Sequence, residues 1–209
     1  GGLLGGVLAT SEPNSKLHYG QLLASLAGLW REFPQLRLAA VTQSLLFGAF
    51  SVFWTILALH LQEPKFGLGA GAAGLFGIGG AVGILAAPIA GKIADQHGPH
   101  KMIILGAMLT LLSWGIFGLW NSLPGLVAGV IVLDFAIQGA LVSHQHVVYA
   151  LRPEARARLN TIFMGTMFLG GALGSAATMM VWPTFGWTGI VLLGAGLALS
   201  ATLLQLRNW

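Results

Sequence analysis

Gly91-Lys-Ile-Ala-Asp95-Gln-His-Gly98-Pro-His-Lys101 is the one dense polar run between two long apolar stretches. Gly91 and Gly98 allow tight backbone turns and close helix contact. Asp95 can accept hydrogen bonds from backbone N–H groups at a helix start, where the helix dipole favours an anion. Lys92 and Lys101 suit the headgroup layer at the helix ends. The run reads either as a latch with a specific partner or as a solvated turn whose charges only set topology.

Composition says what surrounds this turn. Hydrophobic residues make up 56% of the 209 residues and charged residues only 8%, against roughly 25% charged in a soluble domain. So few charges could not cover a soluble fold of this size, and the bilayer is the natural solvent. The 31 glycines fit that reading, because glycine lets membrane helices approach closely. Without cysteine there is no disulfide or thiolate chemistry. The net charge of +4 comes from basic residues spread over separate polar segments, which argues against a nucleic-acid partner.

Six apolar segments are expected to cross the membrane, near 38–61, 68–90, 102–120, 124–148, 159–181 and 187–206. Each is close to the ~20 residues a membrane helix needs. The breaks carry turn chemistry: Glu63-Pro64-Lys65, the 91–101 run, Asn121-Ser-Leu-Pro124, Arg152-Pro153-Glu154 and Trp182-Pro183-Thr-Phe-Gly186. Residues 1–9 form an apolar run that reaches only ~13 Å as a helix. They are expected to be the tail of a preceding transmembrane helix, so the chain is expected to be a fragment. Residues 10–37 read as a cytoplasmic connector holding an amphipathic helix over 21–33, and residues 38–209 as the six-helix bundle. Basic residues set the orientation. Nine (Lys16, Arg31, Arg37, Lys92, Lys101, Arg152, Arg156, Arg158 and Arg207) fall on one side of this topology and Lys65 alone on the other. Both ends, the 91–101 run and 151–158 are therefore expected in the cytoplasm.

The chain also repeats itself. A shift of 91 residues lays Gly79-Gly80-Ala81-x-Gly83 on Gly170-Gly171-Ala172-x-Gly174, Gly48-Ala49 on Gly139-Ala140, and Gln43 on Asp134. An odd number of spans separates the copies, so they lie in opposite orientations. That is a three-plus-three inverted repeat, a hallmark of secondary transporters. Short glycine and alanine matches also arise by chance in a glycine-rich chain. Gly79, Gly80, Gly83, Gly170, Gly171 and Gly174 are in either case candidates for close helix packing.

With the motif Gly91-x-x-x-Asp95-x-x-Gly98-x-x-Lys101, the chain resembles the carboxy-terminal six-helix half of the major facilitator superfamily over nearly its whole length. The 91–101 run is similar to that family's signature loop between the second and third helices of each half, though poorer in arginine. The resemblance implies an all-α membrane protein, half of a twelve-helix fold, whose partner is the missing amino-terminal six-helix half. It implies a conformational role for Gly91, Asp95, Gly98 and Lys101. It also points to a bacterial inner membrane and to proton-coupled efflux.

Polar residues inside the spans are the functional candidates. Asp134 lies ~15 Å into the fourth span, near the midplane. An ionised carboxylate there costs roughly 2.5–3.5 kcal/mol even on the lenient scale. It is a substrate ligand, a proton carrier, or a structural acid bonded to a neighbouring helix. Gln138 and Gln145 share its face. The first span offers Gln43, Phe47, Phe50 and Trp54 on one face, either a lining for an aromatic solute or ordinary packing. His144 and His146 point to different faces, so no shared metal is expected. His60 sits at the outer end of its span, where interfacial solvation accounts for it. No His and acid combine with a nucleophile into a catalytic set, so neither an enzyme nor a cofactor is expected. The expected activity is secondary active transport of a small organic solute by alternating access, with protons as the coupled partner. The alternatives are a passive channel or facilitator and a six-helix protein that dimerises.

Overall fold

The computed structural model describes residues 19–208; the side chains of Tyr19, Ala70, residues 79–87, Ala90 and Ala94 lie outside that description. The expectations for 1–9 and 10–18, and the packing of Gly79, Gly80 and Gly83, fall outside it too. Every secondary-structure element among the described residues is helical: α1 (Tyr19–Glu32), α2 (Pro34–Leu61), α3 (Ala70–His97), α4 (Pro99–Leu119), α5 (Leu123–Leu151), a 3-10 turn (Pro153–Ala155) and α6 (Arg156–Arg207). Proline sits in the first turn of α2, α4 and α5, where its missing N–H leaves no intrahelical bond unmade. Four stretches of the described chain are long and apolar enough to cross a membrane: Pro34–Leu61, Pro99–Leu119, Leu123–Leu151 and Pro153–Arg207.

The last of these is two crossing lengths joined by one residue. At 52 residues, α6 as a straight rod would be ~78 Å long, more than twice the ~30 Å hydrocarbon core. Gly186 breaks it with φ 53° and ψ −149°, a conformation that a Cβ disfavours. The two arms then return along the same neighbour. A Cβ on Gly48 of α2 would lie 3.1 Å from Gly170 O in the first arm and 3.6 Å from Leu197 Cδ1 in the second. The sequence predicts a loop over 182–186, but Trp182–Phe185 stay helical, with Pro183 inside the helix, and only Gly186 turns.

The 91–101 run is corrected in the same way. Gly91–His97 are the last turns of α3, and Gly98 alone reverses the chain, with φ 87° and ψ 150°. Pro99 then opens α4. Asp95 does not cap α4, because the cap is Gly98 without any side-chain hydrogen bond. Its carboxylate is exposed in the last turn of α3, an end whose dipole disfavours an anion.

Glycine lets the helices meet at backbone distance. A Cβ on Gly174 would lie 2.5 Å from Gly48 O, and one on Gly106 of α4 would lie 2.8 Å from Ala136 O of α5. Gly171 receives the Phe47 ring and Gly194 the Trp114 ring. A first core of Phe53, Leu57, Trp114, Phe117, Leu126 and Val130 joins α2, α4 and α5, with Phe53 and Phe117 stacked at 4.4 Å. A second joins Leu29 and Leu36 to Val148, Ala155, Leu159 and Phe163. This end carries Arg152, which pairs with Glu32, and Arg37, whose guanidinium donates to the carbonyls of Trp30 and Arg31 at 2.7 and 2.9 Å. Lys65 sits by Asn121 at the opposite end. Outward faces carry Leu75, Ile78, Leu119, Phe168, Leu173, Met180 and Leu192, all exposed. Lipid covers such a surface without penalty, whereas water would not.

Candidate functional site

A cavity of about 230 Å³ opens at mid-height between α2, α3 and α5. Helical spacing builds one wall. Phe47, Phe50 and Trp54 follow at i, i+3 and i+7 on α2, so their rings form a ladder. Phe47 and Phe50 stack at 5.5 Å, and Phe50 and Trp54 are tilted at 6.0 Å. Gly171 leaves the space that Phe47 occupies. The opposite wall is α5, with Asp134, Ile137, Gln138 and Leu141, and Gly77 of α3 completes the described lining.

Asp134 is the chemical centre of this space. It is 6% exposed, and its Oδ2 has no hydrogen-bond partner among the described residues. The Trp54 indole N–H faces it, yet Trp54 Nε1 closes no hydrogen bond of ordinary geometry either. A buried carboxylate and a buried donor are thus both left open beside a cavity, where unmade hydrogen bonds are costly. Gln138 is exposed to the cavity one turn on. The described lining holds no Lys, Arg or His.

Phe47, Phe50, Trp54, Asp134 and Gln138 therefore come together, and Gln43 and Gln145 do not. Gln43 is fully buried below the cavity, and its amide oxygen accepts from His144 Nδ1 at 2.9 Å. Gln145 points to Met164 Sδ at 3.9 Å. His146 is exposed while His144 is buried, so the two part company on α5. Among the described residues no group of three or more His, Asp and Glu gathers as a metal site.

His60 corrects the sequence reading, because solvent does not reach it. It is fully buried, stacked on Trp187 at 3.7 Å with the rings 4° from parallel. Its Nε2 donates to Asn121 Oδ1 at 3.0 Å, and Nδ1 lies 3.2 Å from Glu63 Oε2. Trp187 Nε1 donates to Phe117 O at 3.0 Å. This knot ties the end of α2 to the α4–α5 turn and to the Gly186 reversal. Only Glu63, three residues on, was a local signal for it.

A chain whose described elements are all helical, with an apolar exterior and a buried carboxylate at mid-span, is an integral membrane protein built around an internal polar site. The description Major Facilitator Superfamily matches residues 39–207, and the chain belongs to that family. "Uncharacterized transporter YgaY" of Escherichia coli O157:H7 is 37% identical over 205 residues, 97% of this chain and 52% of the relative. "Probable transporter SCO4007" of Streptomyces coelicolor is 34% identical over 188 residues, 88% of this chain and 44% of the relative. "Multidrug resistance protein B homolog" of Mycobacterium tuberculosis is 30% identical over 139 residues, 63% of this chain and 25% of the relative. The chain spans about half the length of the first two relatives.

Proposed function

We propose that the full-length protein is a secondary active transporter that moves a small organic solute by alternating access, coupled to protons and directed outward. The observation that carries this is Asp134, a buried carboxylate whose Oδ2 has no hydrogen-bond partner among the described residues, facing a mid-span cavity. In an apolar span such a group is retained for binding or proton transfer rather than for stability. The same carboxylate can hold a proton while the cavity faces one side and release it at the other. Gln138 and the aromatic ladder bind the solute in this reading. Outward direction draws on the likeness to the multidrug resistance homolog.

In this reading α2–α4 and α5 with the two arms of α6 are the two copies of an inverted three-plus-three repeat. The packing supports it. Gly106 of α4 lies against Ala140 of α5. Its counterpart 91 residues on, Leu197, lies against Gly48, next to Ala49, the counterpart of Ala140. Repeats of this kind place the substrate site near the midplane at their interface. In this reading residues 38–209 are the carboxy-terminal bundle, with α1 on the cytoplasmic surface of a bacterial inner membrane. Asp95, ill-placed at a helix end within this chain, is the latch that meets the amino-terminal half.

The test uses inverted membrane vesicles containing the full-length transporter and an inside-acid pH gradient. A panel of small organic solutes is added, and proton movement is followed with a trapped pH dye. Solute-driven proton release that is lost in Asp134→Asn is the expected result. Solute flux that is equal with and without the gradient would make the protein a passive facilitator.

A further inference from the structure

We propose that the solute is an organic cation carrying an aromatic ring, seated between Asp134 and the Trp54–Phe50–Phe47 ladder. The proposal rests on the transport reading above and adds the chemical class of its substrate.

Charge comes first. Asp134 is more than nine-tenths buried, and one of its oxygens has no partner among the described residues. The described cavity lining supplies no cation to offset it. Lys65, Lys92, Lys101 and Arg156 are exposed at the helix ends and Arg158 is half-buried there, far from a group half-way along α5. A solute with a positive centre would complete the site, whereas an anionic solute would meet a like charge in a poorly screened space.

Shape is the second argument, and it is independent of the first. Phe47, Phe50 and Trp54 present three consecutive rings to the same cavity as the carboxylate. Aromatic faces attract cations through their quadrupoles and stack with other rings. The Gln138 amide remains for one hydrogen-bonding substituent. At about 230 Å³ the cavity is below the ~300–1,000 Å³ of most ligand sites. It suits a single-ring solute with a compact cationic head.

The experiment measures binding by calorimetry to the full-length transporter in lipid nanodiscs, with three probes built on one ring. Benzyltrimethylammonium is the cation, benzyl alcohol the neutral probe and benzenesulfonate the anion. The cation should bind at least about tenfold more tightly than either of the others. Asp134→Asn should remove that preference and leave benzyl alcohol unchanged. Trp54→Phe, which keeps a ring, should hold cation binding within about threefold, and Trp54→Leu should weaken it further. Equal binding of cation and neutral probe, a preference for the anion, or cation binding that Asp134→Asn leaves intact would overturn the proposal. Failure of this proposal and of the transport reading are separable. Proton release driven by benzyl alcohol or benzenesulfonate but not by the cation would keep transport and refute the cation. Cation binding that drives no proton movement in vesicles would keep the site and refute the coupling.

Discussion

Gly174 of α6 meets only the backbone of Gly48 on α2, so replacing it with alanine tests the packing directly. The added Cβ would lie 2.5 Å from Gly48 O and 3.0 Å from both Gly48 C and Gly48 Cα. None of these atoms belongs to a side chain that can rotate away, so a whole helix must shift. Overpacking of this kind costs about 1–3 kcal/mol. Helix propensity acts the other way, since Gly→Ala in a helix gains roughly 1 kcal/mol. The net expectation is a loss of up to about 2 kcal/mol. Gly165→Ala is the internal control: it lies in the same arm of α6, and its Cβ would meet nothing within 4 Å. It should therefore keep the propensity gain. Gly48→Ala, with its nearest contact at 3.1 Å, should fall between the two. The measurement is reversible unfolding by denaturant in mixed micelles, with helix content as the readout. If Gly174→Ala were as stable as Gly165→Ala, the close crossing of α2 and α6 would be wrong.

Two further expectations concern the outer end and the topology. His60→Phe keeps a ring to stack on Trp187 but leaves Asn121 Oδ1 without its donor, so it should cost about 1–3 kcal/mol; an unchanged unfolding midpoint would make the buried knot dispensable. Gln62 and Gln96 are both exposed, and single cysteines there in this cysteine-free chain should react with an impermeant maleimide from opposite faces of the membrane, Gln62→Cys from outside. Labelling of both from one face would overturn the orientation drawn from the basic residues.

What the sequence made legible was set by local physics. Crossing lengths follow from uninterrupted apolar runs, and α2, α4 and α5 lie where those runs predict them. The reversals are shorter than the Pro and polar residues around them suggest. Lys92–His97 are compatible with a helix that simply emerges from the apolar layer, so α3 runs on until Gly98. Pro183 stays inside the helix, and Gly186 alone adopts a backbone conformation that a Cβ disfavours. In both places the glycine with positive φ, not the polar stretch around it, makes the turn.

The candidate site divides along the same line. Phe47, Phe50 and Trp54, and likewise Asp134 and Gln138, are neighbours by helical period, and period alone put each set on one wall. Gln145 obeys the same period but lies eleven residues beyond Asp134. That is ~16 Å along the axis, past the depth of the cavity and against Met164. Gln43 aligns with Asp134 in the repeat, yet a partner from another helix decides its fate. His144 takes its amide oxygen, and that pairing spans 101 residues. His60 is buried for a similar reason, through Asn121 in the α4–α5 turn and Trp187 in α6. Burial of a polar side chain depends on which distant residue meets it. A periodic pattern therefore identifies the face of a helix but not the height on that face where a cavity ends and a hydrogen-bonded contact begins.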